Sequence, residues 1–165
     1  MSTLRGDITL LTHGGDPPLT AAALLVDGIL DGDLEVFEGR RLVAPPRREP
    51  AAPLMALLRS RILAGAPGSP HEWIHRTLAF APAAVAAELV AAGAAAPRGG
   101  RLPLSVDARA EAAARARIAG TPALAGLLYA RGLGTGDPLP PDIHALPAAV
   151  RTIIRAVRPA ARMAA

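Results

Sequence analysis

Residues 71–75 read His71-Glu72-Trp73-Ile74-His75, which spells H-E-x-x-H. On a helix that spacing stacks two imidazoles one turn apart with a carboxylate beside them, the zinc-binding core of many metalloproteases. A catalytic zinc needs three protein ligands and an open position. The metzincin continuation would place a glycine and a third histidine after His75, whereas the chain runs Arg76-Thr77-Leu78-Ala79-Phe80-Ala81. Glu88, Glu111 and His144 are the candidates for a third ligand, and none sits in a second motif. No carboxylate that would orient the imidazoles can be picked out either.

The same residues have a reading without metal. Ser69 precedes Pro70, and Glu72 follows Ser69 by three positions, the spacing of a capping box. Pro70 then takes the first helical position. His71 and His75 fall in the first two turns, where the positive end of the helix dipole disfavours a bound cation. The expectation is a capped helix start with two partly exposed histidines and no metal site. Trp73, followed by Ile74 and with Leu78 a turn beyond, is expected to be a buried anchor of that helix.

Other catalytic patterns are missing. The chain has no G-x-S-x-G elbow, no Walker loop and no G-x-G-x-x-G after a strand. The glycine-rich stretch from Gly132 to Gly136 follows a helical pattern and leads into Asp137-Pro138, so it reads as a loop. No catalytic residue, enzymatic activity or cofactor is expected.

The elements that must carry these residues are punctuated by proline and glycine. Residues 7–13, Asp7-Ile8-Thr9-Leu10-Leu11-Thr12-His13, read as a short strand, followed by a Gly14-Gly15 turn. Asp16 with Pro17 starts a helix that runs to about Asp31 and stops at Gly32. Residues 34–43 read as a hairpin around Glu38-Gly39. Residues 44–53, with four prolines and three charges, read as a linker inside one domain. A helix from Pro53 to about Ala64 ends at Gly65. The helix that opens at 70 is expected to break or kink at Pro82 and to stop at Gly93. A second hairpin covers about 95–104 with Arg98-Gly99-Gly100-Arg101 as its turn. Helices follow at 108–119, 122–131 and 147–158. The order helix, glycine stop, hairpin thus occurs twice, through an old duplication or through two uses of common turn chemistry. The fold class is mainly α, a compact helical globule with two small β-hairpins that follow helices.

Composition narrows the function classes. A chain of 165 residues suits a single domain spanning 1–165. Half of it is apolar, much of that alanine, and only four residues are aromatic, so closely spaced helices should form the core. Without cysteine, disulfides and thiolate metal sites are excluded. No signal peptide is visible, and no segment approaches the roughly 18 apolar residues of a bilayer span; a cytoplasmic protein is the simplest expectation. All 18 basic residues are arginine, and Lys, Asn and Gln are absent, a bias of GC-rich coding. The net charge of +4 suits acidic partners without selecting one.

The order of elements resembles a known family. Leu24-Leu25-Val26-Asp27-Gly28-Ile29-Leu30-Asp31-Gly32-Asp33-Leu34-Glu35-Val36, followed by Arg41-Leu42-Val43, resembles the first helix and hairpin of the Golgi phosphoprotein 3 family. Glu72-Trp73-Ile74 resembles the acidic-Trp pair that opens a later helix there, and Glu88-Leu89-Val90-Ala91-Ala92-Gly93 the helix end before its second hairpin. Leu124-Ala125-Gly126-Leu127-Leu128-Tyr129-Ala130-Arg131-Gly132-Leu133 resembles its penultimate helix. The resemblance runs from about residue 7 to 158 and rests on apolar helix faces and glycine stops. It implies a compact bacterial member, a helical globule without catalytic residues. In eukaryotic relatives it implies peripheral membrane binding through phosphatidylinositol 4-phosphate, gripped by a Trp and several Arg.

Those headgroup residues do not carry over. The loop before the first long helix, His13 to Pro18, has no aromatic, and the family's arginine positions fall at Ala21, Ala79 and Pro82. The resemblance also implies an apolar hairpin that enters the bilayer, whereas the second hairpin here is short and basic. The expected function is binding of anionic membrane lipid headgroups at the inner face of the membrane by Arg76, Arg98 and Arg101. Arg40 and Arg41 lie beside the first turn. Arg151, Arg155, Arg158 and Arg162 form a basic stripe on the last helix, which could lie on a membrane or be the solvated side of a docked helix. The alternatives are a winged-helix-like nucleic-acid binder, disfavoured by the acidic end of the first long helix (Asp27, Asp31, Asp33), and a protein-interaction adaptor with no lipid ligand.

Overall fold

The computed structural model describes residues 3–46, 52–98, 101–133 and 143–157, with backbone only at 101–103. Eight helices and two hairpins occur among them: α1 Leu4–Leu11, α2 Pro17–Leu30, β1 Glu35–Phe37, β2 Arg41–Val43, α3 Pro53–Ala64, α4 Pro70–Thr77, α5 Ala81–Ala91, β3 Ala95–Arg98, β4 Arg101–Val106, α6 Ala108–Arg117, α7 Pro122–Ala130 and α8 Ala148–Ala156. The fold is mainly helical with two small antiparallel hairpins, β1–β2 and β3–β4. Residues 47–51 of the linker, Gly99-Gly100, most of the 132–136 loop, and Arg158 and Arg162 of the basic stripe lie outside the described residues.

The helix boundaries follow local chemistry. Asp16 accepts from the Leu19 amide and Pro17 opens α2. At its other end Gly32 adopts φ +75°, and the amides of Asp33 and Leu34 bond back to the Gly28 carbonyl. Gly93 repeats this at φ +71°, with the Ala94 amide on the Leu89 carbonyl. Such left-handed glycines satisfy the orphan carbonyls of a helix end and turn the chain out of it. The order helix, glycine, hairpin is therefore present twice, as the spacing predicts. The helix starting at Pro70 does break: residues 78–80 separate α4 from α5, which are bent by 58°, and Pro82 sits in the first turn of α5.

One element departs from the sequence reading. Residues 4–11 form a helix, not a strand over 7–13. Thr3 caps it through the Gly6 amide, and Asp7 lies in its first turn. A short run such as Ile8-Thr9-Leu10-Leu11 does not distinguish the two periods. Tertiary packing decides, because α1 is enclosed by α2, α5, α6 and α7. Its polar side chains are buried too: Arg5 on Asp27, Asp7 on Arg117, and the Thr9 hydroxyl on that of Thr20 at 3.1 Å.

α2 is the centre of the core. Residues Leu19 to Gly28 are all buried, and the helix packs against α1, α4, α5, α7 and α8. Its alanines, Ala21, Ala22 and Ala23, have no exposed surface and let neighbouring helices approach closely. Leu58, Leu124, Leu127, Ile153 and Ile154 close the core around it. Among the described residues no single helix is long and apolar enough to cross a membrane.

Candidate anion-binding surface

The capping box at the start of α4 is formed. Ser69 Oγ accepts from the Glu72 amide at 3.3 Å, and the Glu72 carboxylate accepts from the Ser69 amide at 2.7 Å. That second bond holds the Glu72 carboxyl below its ordinary range. His71 and His75 are exposed, with their rings edge to face at 4.7 Å. His71 Nδ1 lies 3.3 Å from the carbonyl of Ala156, joining α4 to the end of α8. Two of the three suggested third ligands are engaged elsewhere: Glu88 receives Arg5, and Glu111 receives Arg115 and His13. Among the described residues no three His, Cys, Asp or Glu side chains converge on a point that could hold a metal ion.

Trp73 is 3% exposed, as its place in the sequence predicts. Its indole Nε1 is buried and meets no acceptor among the described residues. The Arg76 guanidinium lies over the indole, 4.8 Å from the ring centroid, and its Nη1 donates to the Ala66 carbonyl at 2.7 Å. Gly65 and Gly68 permit this approach. A methyl added at Gly68 would come within 3.1 Å of both Arg76 Nη1 and Trp73 Nε1, and one at Gly65 within 3.3 Å of the indole edge. The Gly68 carbonyl accepts from the Leu42 amide at 3.1 Å, so this turn is stitched to the first hairpin.

Arg98 is exposed near the end of the second hairpin, and the register places it opposite Arg101. The side chain of Arg101 lies outside the described residues. The hairpin is seated on α5 through Ala95 and Leu104, which pack with Ala86. It is also tied by the Leu104 amide to the carbonyl of His13 at 2.9 Å. His13 takes φ +52°, a conformation rare for a residue with a side chain. Thus Arg98 and Arg101 share one hairpin, whereas the contacts of Arg76 are with the 66–68 turn and Trp73.

The structure separates the remaining arginines into two groups, which the sequence could not do. Arg5, Arg59, Arg115, Arg117 and Arg131 are paired with carboxylates. Arg5 and Asp27 are the most buried, 7% and 9% exposed at their side chains. Arg40, Arg41, Arg61, Arg76, Arg98, Arg109 and Arg155 are exposed and have no carboxylate partner among the described residues, Arg61 lying over the Phe80 ring. In the first hairpin Glu35 and Glu38 offset Arg40 and Arg41, while the second carries no acid from Ala95 to Val106. Phe37, 56% exposed, stands at the end of β1. Of the basic stripe, Arg155 is exposed and Arg151 bonds to the carbonyls of His144 and Leu146, while Val150, Ile153 and Ile154 are spent on the core.

The family positions noted above offer no headgroup chemistry here. Ala21 is fully buried, Pro82 is buried in α5, and Ala79 is exposed in the break between α4 and α5. A cleft of about 330 Å³ opens between Leu11, Thr12, Asp16, Arg115, Ile118 and Leu128. Its polar groups are already engaged: Asp16 holds Arg131 and caps α2, Thr12 bonds to Ile8, and Arg115 pairs with Glu111. Comparison of the chain with protein-family models, with curated proteins and with solved structures returns no match.

Proposed function

We propose that the chain binds anionic lipid headgroups peripherally at the inner face of a membrane, through arginines that its own carboxylates leave unpaired. The observation that carries this reading is the second hairpin. It is an acid-free segment anchored on α5, with two arginines at opposed register positions and Arg98 in solvent. Like charges opposite one another on a hairpin repel, and a phosphate oxygen offsets that repulsion. A planar guanidinium pairs well with phosphate. The resemblance to the Golgi phosphoprotein 3 family supports the same ligand class, while the residues at its headgroup positions do not.

Binding by the hairpin is electrostatic. It should follow the total anionic lipid, contribute about 1 kcal/mol per arginine near the surface, and fade as salt shortens the roughly 8–10 Å screening length. The test is vesicle flotation at matched surface charge with phosphatidylserine or phosphatidylinositol 4-phosphate, over a salt series. The expected result is salt-sensitive binding to both that is weakened in the Arg98→Ala, Arg101→Ala double variant. Absence of binding to either lipid at low salt would refute the proposal.

A further inference from the structure

The buried indole N–H of Trp73 and the guanidinium of Arg76 point to a second, local feature. Both donors pack against Gly68, where a methyl would come within 3.1 Å of each. The indole nitrogen is fully covered and has no acceptor, which is costly for a buried donor. Beside it lies Arg76, an exposed side chain held by one carbonyl bond and by its stack on the ring. Among the described residues no acid pairs with Arg76 directly. Glu72, one turn earlier, is the nearest carboxylate in sequence and is committed to the Ser69 amide.

We infer that Arg76 is a hinged cover over Trp73 and that the pair forms a phosphate-binding notch at Gly68. When the guanidinium swings off the Ala66 carbonyl to take a phosphate oxygen, the indole N–H is uncovered beside the same anion and gains its missing acceptor. The bond to the Ala66 carbonyl is exchanged for charge-assisted ones, which are stronger. The absence of a side chain at 68 lets the guanidinium and the indole nitrogen pack against the turn, and the Leu42–Gly68 bridge holds the turn in place while the exchange happens. The notch requires a phosphate group whose oxygens project freely, as in a monoester, whether on a lipid or in solution. This inference rests on the anionic-ligand reading above and adds a site away from the second hairpin.

Trp73 is the only tryptophan, so its emission reports on the notch. The experiment titrates the intact protein with inorganic phosphate, against chloride at equal ionic strength, and follows Trp73 emission and acrylamide quenching. Phosphate should shift the emission saturably and increase quenching, and chloride should not. Arg76→Ala should abolish the response, and Gly68→Ala, which pushes the guanidinium and indole apart, should weaken it about tenfold, the size of one charge-assisted hydrogen bond. Arg76→Lys keeps the charge without the planar fork and should also bind more weakly; circular dichroism shows which variants are folded. A second arm uses phosphatidylcholine vesicles carrying phosphatidic acid or phosphatidylserine at matched charge, with wild type and the Arg98→Ala, Arg101→Ala variant. Phosphatidic acid alone should reproduce the emission change. A phosphate response in protein that binds no vesicles upholds the notch as a site for soluble phosphate and refutes the lipid reading. Vesicle binding with Trp73 silent to phosphate overturns the notch and leaves the lipid reading standing. A phosphate response that survives Arg76→Ala and Arg76→Lys unchanged also overturns it.

Discussion

Asp27→Ala should be among the most damaging single substitutions in this chain. Asp27 Oδ1 accepts from the Leu4 amide at 2.9 Å, and Oδ2 accepts from the Arg5 amide at 3.2 Å and from Arg5 Nη1 at 3.0 Å. One carboxylate thus holds the first amides of α1 and a guanidinium that is only 7% exposed. Alanine leaves that guanidinium with Glu88 alone, at 3.3 Å and 42% exposed. Removing one partner of a buried pair costs about 3–5 kcal/mol, a large share of the roughly 5–15 kcal/mol that stabilises a domain. Arg5→Met combined with Asp27→Asn removes both charges and keeps an amide oxygen for the Leu4 N–H, so its cost should fall to about 1–2 kcal/mol. Urea denaturation followed by circular dichroism measures each, with a shifted midpoint at constant slope reporting stability alone. If Asp27→Ala cost less than about 1 kcal/mol, Arg5 would have to reach water on its own, and the buried pair would carry no weight. The pH dependence gives a second check. Burial pushes the Asp27 carboxyl above its ordinary 3.8, against the lowering by Arg5 and the two amides. A raised folded pKa means a contribution fully present below 3.8 and lost as the pH rises through the folded value. The advantage of wild type over Asp27→Asn should therefore widen on acidification; a narrowing gap would show that Arg5 outweighs burial.

Trp73→Ala should destabilise by about 3–5 kcal/mol, the range for a large aromatic in a core, and Trp73→Phe by less, because it also removes a buried donor without an acceptor; thermal denaturation compares the two. Ser69→Ala should cost about 1 kcal/mol as a lost N-cap. Glu72, whose folded pKa is lowered, contributes above its ordinary 4.5 and loses that contribution as the pH falls through the folded value, which a stability–pH profile of Glu72→Gln against wild type would show. Gly28→Ala would bring a methyl within 2.7 Å of Leu34 Cδ1 and 3.0 Å of Met55 Cε, so overpacking should cost about 1–3 kcal/mol in a urea titration.

Local chemistry alone determined most helix ends, because caps and stops act over four or five residues. Asp16-Pro17, Ser69-Pro70 with Glu72, and the glycines at 32 and 93 mark boundaries that the structure keeps. The two hairpins and the burial of Trp73 followed from the same short-range signals. Residues 4–11 did not, since a short apolar run fits either period until the helices that surround it are known. Nor could the sequence say which charges are free. From sequence, Asp27, Asp31 and Asp33 made α2 end acidic and hostile to phosphate; in the fold Asp31 is exposed, but Asp27 is buried against Arg5 and Asp33 lies beside Arg59. Asp7 and Asp16 are likewise taken by Arg117 and Arg131, more than a hundred residues away. Eighteen arginines look alike in a sequence. Only the packing of α1 and α2 against helices far along the chain decides which find a carboxylate and which, like Arg76 and Arg98, are left facing water, because an ion pair depends on distance in space and not along the chain.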